Sequence, residues 1–267
     1  PWRNGDCFGD HSTDLFTRQR TRIMFSFSSS LAVGLDISDL VLRVVALHRG
    51  RLARVVAFQE LLLPAGLIVE GEIREPRVVA ERLRILLDHA TPRRIRARTV
   101  SASLPDRRTF VKLISLPKAA APAQVEKTVL AQLTQHFPFS PEDVYLDWAE
   151  IQTKTQASAV VATAPRPLVD QYVTTLRLAG FEPAALEMES LAIARAVLAA
   201  DELIPTFIVD LGGTRTTALV TVNGVIQFSS SLPLSGGQFT HVVAEVLHIS
   251  TTDAERLKVL YGLTRGR

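Results

Sequence analysis

The chain has 267 residues, 47% of them hydrophobic and 21% charged, with a formal net charge of +3. That balance supports a sizeable buried core, argues against intrinsic disorder over most of the length, and does not call for a nucleic-acid partner. A single cysteine, Cys7, excludes a disulfide framework and a Cys-based zinc site and fits a reducing compartment.

No run of about 18 apolar residues occurs, so no membrane-spanning helix is expected. Residues 18–35 pass from basic to apolar, loosely like a signal peptide, but serines interrupt the stretch and no small-residue cleavage site follows. Residues 1–23 lack periodicity, Met24 is the expected start, and 1–30 are expected to be a disordered or non-native tail. From Leu31 the pattern is β. Residues 31–37, 40–47 and 52–63 are three apolar, β-branched runs with short connections, the second turning at Gly50. A polar loop with Pro64, Gly66 and Gly71 follows, then a helical pattern over 75–90 with Pro76 in its first turn. "TPRRIRAR" (91–98) is the densest basic patch, either a solvated loop and edge strand or a contact for acidic lipid or a partner. A strand is expected at 99–104.

Residues 109–116 (strand), 121–137 (helix, closed by Pro138), 144–151 and 158–165 (strands) form a β-α-β-β block that reads as a small subdomain. A helix over 166–181 ends at Gly180; a strand at 183–188 and a helix at 190–200 follow. Residues 206–210, 216–222 and 225–232 then form a second three-strand meander, with Asn223-Gly224 as a two-residue hairpin signal. The two meanders superpose without gaps. Asp36 matches Asp210 and Gly50 matches Gly224, both at an offset of 174, which suggests two similar α/β lobes. The six histidines show no ligand spacing.

Two Asp-tipped hairpins facing a shared cleft suit a nucleotide. Turn amides and small hydroxyls grip phosphate, and an aspartate at each strand end holds Mg²⁺ through water. The second hairpin carries Asp210, Gly212, Gly213 and Thr214, and Gly236 and Gly237 open a later helix whose amides would face an anion. A plain tight turn is the alternative. The first hairpin, "LDISDLVLRVV", has Asp36 and Ser38 but no turn glycine, and a second carboxylate, Asp39, would repel phosphate. A turn closed by Asp and Ser is the alternative there.

These features resemble the actin/Hsp70-like (ribonuclease H-like) ATPase superfamily, and within it the PilM family of type IV pilus assembly proteins, related to FtsA. The resemblance rests on "VGLDIS", "LPAGLIVEGEI" (63–73), "QHFPFSPEDVYLDW" (135–148), "VDLGGTRTT", "LPLSGGQFT" and "AERLKVLYGL" (254–263), and runs from about Leu31 to Leu263. "FPFSPEDVYLDW" is the most specific, because a generic actin fold does not demand it.

The resemblance implies duplicated α/β lobes with an inserted 1C-type subdomain. The tail would be 1–30, the first lobe 31–108 and 166–203, the insert 109–165, and an incomplete second lobe 204–267. It places Asp36 and Ser38 on the first phosphate loop and Asp210, Gly212, Gly213 and Thr214 on the second, with Gly236 and Gly237 after it. Glu255 and Lys258 match the helix along ribose and adenine, although "TDAE" (252–255) also reads as a capping box. Glu189 falls where related ATPases orient the attacking water, or it is a surface-loop charge. ATP and Mg²⁺, the latter through water on Asp36 and Asp210, are the implied cofactors.

The implied role is a cytoplasmic scaffold, peripheral at the inner membrane, that binds the cytoplasmic N-terminal peptide of a PilN-like membrane protein in a groove beside the insert. Other pilus assembly proteins and self-association are further implied contacts; nucleic acid is not. Nucleotide would act as a switch, with at most weak ATPase activity, because the first loop lacks the family's Gly and Ser/Thr donors. The chain stops before the family's adenosine loop, so the expectation is a fragment with an apolar surface left open. The alternatives are an active ATPase or sugar-kinase-like enzyme on the same fold, and an FtsA-like or type II secretion scaffold.

Overall fold

The structure, a computed structural model, describes residues 31–48, 53–117, 122–136, 140–152, 157–199 and 203–262. The expected tail, the turn at Gly50, the helix stop at Pro138 and the Phe137–Phe139 part of the specific motif lie outside the described residues.

Alternating burial along β1 (Leu31–Ile37) and β2 (Val41–His48) sets one face of each strand inward, and the two pair antiparallel from Leu31–His48 to Ile37–Leu42. β3 (Arg54–Leu62) continues the meander. After β4 (Ile68–Val69), β5 (Glu72–Ile73) and helix α1 (Pro76–Asp88), β6 (Thr99–Leu104) runs parallel to β1. The insert follows as β7 (Phe110–Leu116), α2 (Pro122–His136), a 3₁₀ turn (Pro141–Asp143), β8 (Val144–Gln152) and β9 (Ala157–Pro165). The chain returns through α3 (Arg166–Leu178) to β10 (Glu182–Met188), which completes a five-stranded sheet in the order β10-β6-β1-β2-β3. Helices α1 and α3 pack on this sheet, and their Leu83, Leu86, Tyr172 and Leu176 are fully buried with Leu42 and Val44.

The insert is a separate antiparallel sheet, β7-β9-β8, with its own core of Ile114, Val125, Val129, Leu133 and Val161 under α2. Helix α4 (Glu189–Val197) leads into the second meander, β11 (Thr206–Leu211), β12 (Thr216–Val222) and β13 (Val225–Leu232), followed by α5 (Gly236–Leu247) and α6 (Thr251–Tyr261). The β12–β13 turn has both Asn223 and Gly224 at positive φ, as the dipeptide predicts.

One expected loop is structured. Residues 64–74 hold the β4–β5 hairpin because Ile68 and Ile73 are buried and the Asp39 carboxylate accepts from the turn amides of Glu70 (3.2 Å) and Gly71 (2.8 Å). Asp39 therefore binds backbone rather than closing its own turn.

Candidate functional site

The repeat persists down to single hydrogen bonds. In the first hairpin Ser38 N donates to Val41 O at 3.1 Å; in the second Gly212 N donates to Arg215 O at 2.8 Å, and both residues are offset by 174. Register is kept as well, since Asp36 lies opposite Arg43 and Asp210 opposite Thr217. Each aspartate meets a different environment. Asp36 accepts from Arg43 Nη1 at 3.1 Å and from Ser103 Oγ on β6 at 3.2 Å. Asp210 is exposed, and its carboxylate makes no hydrogen bond or ion pair among the described residues.

The second loop can meet an anion through the exposed Gly213 and Thr214. Gly212 must stay a glycine, because a Cβ there would lie 2.8 Å from Arg215 O. At the start of α5 the geometry differs from expectation. Gly236 N donates to Gly212 O (2.9 Å) and Gly237 N to Gly213 O (3.0 Å), so these amides hold the loop instead of facing a ligand. The helix is capped by Ser235 Oγ, which accepts from Gln238 N.

Lys258 on α6 reaches the same corner. Its Nζ donates to Gly236 O (2.9 Å) and Thr240 Oγ1 (2.8 Å) and pairs with Glu255 at 2.7 Å. Glu255 also accepts from Thr240, and hydrogen bonds from Lys258 and Thr240 hold its carboxyl below the usual carboxylate range. Glu255 takes no part in a capping box. Ser250 is the N-cap of α6, and it exchanges hydrogen bonds with Asp253, not Glu255.

The first hairpin offers less. Ser38 gives both its amide and its hydroxyl (2.8 Å) to Val41 O, which leaves no donor from Ser38 for a phosphate. The Leu40 side chain lies 3.5 Å from where a Cβ on Gly213 would sit, so the two turns face each other across the cleft with an apolar group between them. The second loop thus leaves Gly213 and Thr214 exposed, whereas in the first Ser38 is committed to its own turn and Asp36 is already paired.

Glu189, at the start of α4, lies in the cleft rather than on a surface loop. It accepts from Arg215 Nη2 at 3.2 and 3.4 Å, and burial, offset in part by Arg215, pushes its carboxyl up to about 7. Asp106 is next to it, raised by burial; its Oδ1 accepts from Ser190 N at 3.1 Å, while Oδ2 and the Ser190 hydroxyl are buried without partners. Sequence reasoning missed Arg215 and Asp106 as site residues. Arg215 stands where the first copy has Val41, and that departure from the repeat was the available signal.

A second concavity of about 230 Å³ lies away from the cleft, where the insert meets the first lobe. Val169, Asp170, Val173 and Arg177 on α3, Pro183 to Leu186 on β10 and Tyr145 on β8 line it. β8 and β10 are both sheet edges there. Tyr145 Oη donates to Asp170 Oδ1 at 2.9 Å, and the Arg166 guanidinium lies 4.5 Å above the Tyr145 ring.

The sequence profile described as Type IV pilus assembly protein PilM matches residues 34–266. The chain is similar to a solved PilM–PilN type IV pilus biogenesis complex at 27% identity and a TM-score of 0.74, covering 86% of this chain and 70% of that one. Ethanolamine utilization protein EutJ of Carboxydothermus hydrogenoformans shares the fold at 15% identity and a TM-score of 0.53, covering 86% of this chain and 62% of that one. Cell division protein FtsA of Pseudomonas aeruginosa is 33% identical over 87 residues, 32% of this chain. The chain spans only 21% of that curated relative's length.

Proposed function

The chain belongs to the PilM family of type IV pilus assembly proteins, and from that membership we propose that it is a scaffold for a PilN-like inner-membrane protein. The partner's cytoplasmic N-terminal peptide lies in the groove between β8, α3 and β10, which keeps the chain cytoplasmic and peripheral at the inner membrane. The observation that carries this reading is the groove itself: an apolar floor of Val169, Val173 and Leu186 beside the strands, β8 and β10, that end their sheets among the described residues. Strand edges supply main-chain hydrogen bonds to an extended peptide, and the floor takes its apolar anchors.

Nucleotide acts as a switch in this proposal. ATP binds through Gly213 and Thr214, with Glu255 and Lys258 toward the nucleoside and Mg²⁺ held through water on Asp210 and Asp36. Binding is weak and hydrolysis slow or absent, because Ser38 is spent on its own turn and Arg215 covers Glu189. The reading as an active ATPase draws support from Glu189, whose carboxyl near 7 suits a general base. Turnover of about 1–100 per second, as in kinases, would favour that reading instead.

The test is a titration of a fluorescent peptide from the partner's N-terminus, with and without Mg-ATP. Saturable binding that Val173→Asp abolishes supports the groove, and an affinity change with Mg-ATP that Asp210→Ala removes supports the switch. Equal binding by wild type and Val173→Asp contradicts the groove reading.

A further inference from the structure

The segment between α1 and β6 is basic and held in place. Six arginines and one acid, Asp88, lie between Arg82 and Arg98. Ile95 is buried in the core and its amide donates to Leu87 O at 2.9 Å. Thr91 exchanges backbone hydrogen bonds with Phe58 at 2.9 and 3.0 Å, and Arg98 O accepts from Glu182 N at 2.7 Å. These anchors leave Arg93, Arg94, Arg96 and Arg98 exposed on one fixed edge. None of the four has a carboxylate in ion-pair range among the described residues, whereas Arg43, Arg177, Arg195 and Arg215 each meet one.

Apolar side chains flank this edge. Phe58, which pairs with Thr91, is 57% exposed, and Val55 on the same edge strand, β3, is 62% exposed. A cluster of unpaired arginines beside exposed aromatic and aliphatic groups suits an interface where phosphate heads cover hydrocarbon. Guanidinium forks bind phosphate oxygens in pairs, and a pinned loop loses little freedom in doing so.

We propose that this edge, Arg93 to Arg98 with Phe58 and Val55, docks directly on the anionic lipid headgroups of a membrane surface. Arg98 O accepts from Glu182 N at the start of β10, so one end of this edge adjoins the strand that lines the groove; only the use made of that adjacency rests on the groove reading. A tethered peptide would then reach its seat from the membrane side, with lipid contact adding to the partner's hold.

The test is flotation of the purified chain with vesicles rich in phosphatidylglycerol, against vesicles of phosphatidylcholine, at low and high salt and with no peptide present. Binding to the anionic vesicles alone, lost at high salt, is expected. Replacing Arg93, Arg94, Arg96 and Arg98 by Gln lowers partitioning by roughly two to three orders of magnitude, and replacing all four by Lys retains most of it. Phe58→Ser weakens it further. Circular dichroism confirms that each variant is folded, and all four arginines are exposed. Equal partitioning of wild type and the Gln variant overturns the proposal, as does failure of wild type to float with anionic vesicles. Saturable binding of a single-stranded oligonucleotide together with failure to float with anionic vesicles would assign the edge to nucleic acid instead. None of these results bears on peptide binding, so the groove reading stands or falls separately.

Discussion

Arg43 and Thr217 hold the same register position in the two hairpins, and they give the facing aspartates opposite fates. A guanidinium neutralises Asp36, and a threonine leaves Asp210 free. At the other side of the cleft, Glu189 makes a prediction in pH. Burial raises its carboxyl from 4.5 to about 7, so the folded chain keeps a proton that the unfolded chain has released. Stability from this group is fully present below about 4.5 and is lost as pH rises to about 7, by on the order of 1–3 kcal/mol. Denaturant midpoints measured across that window should therefore fall more steeply for wild type than for Glu189→Gln. Parallel curves would show that the carboxyl is not desolvated. The aspartates and turn glycines were legible in the sequence because the two copies align without gaps. Arg215 and Asp106 were not, because their roles depend on α4 being placed against both lobes, and periodicity carries no information about that contact.

Short elements decide how the first loop is built. The β4–β5 hairpin read as a polar loop because strands of two residues leave no alternation to detect. It forms through long-range bonds: Asp39 to the turn amides, and Tyr172 Oη to Gly71 O at 3.0 Å. Gly71 sits at φ +78 with Pro105 only 2.5 Å from any added Cβ. Gly71→Ala should cost about 2–4 kcal/mol by thermal or chemical unfolding, from strain and overpacking together. Tyr172→Phe should cost about 1–2 kcal/mol, since it leaves a buried carbonyl unpaired. A neutral Gly71→Ala would mean that this turn is not fixed by its neighbours. By contrast, the long strands and α1, α3 and α4 were legible to within three residues at each end, because alternation and 3.6-residue periodicity extend over whole elements. The fate of Glu255 was not, since Ser250, two residues before the expected "TDAE", takes the cap instead.

At the scale of the molecule, the two openings differ in character. The cleft between the hairpins is tight and partly self-satisfied, with loop carbonyls holding the α5 amides and Leu40 against Gly213. A thermal melt with Mg-ATP should therefore show a smaller shift than the roughly 2.7 kcal/mol that a ligand at about 100 times its dissociation constant supplies, and Asp210→Ala should remove what shift there is. A shift that Asp210→Ala leaves intact would place the nucleotide elsewhere. The groove between the insert and the first lobe instead lies over Val169, Val173 and Leu186, beside the terminal strands β8 and β10 of the described sheets, and that contrast puts peptide capture, with nucleotide secondary, first in the proposal. Hydrogen exchange on the folded chain, with and without the partner's N-terminal peptide, tests it most directly. New protection confined to β8, α3 and β10, absent in Val173→Asp, is the expected result. Protection confined to the hairpin turns, or none at saturating peptide, would contradict it.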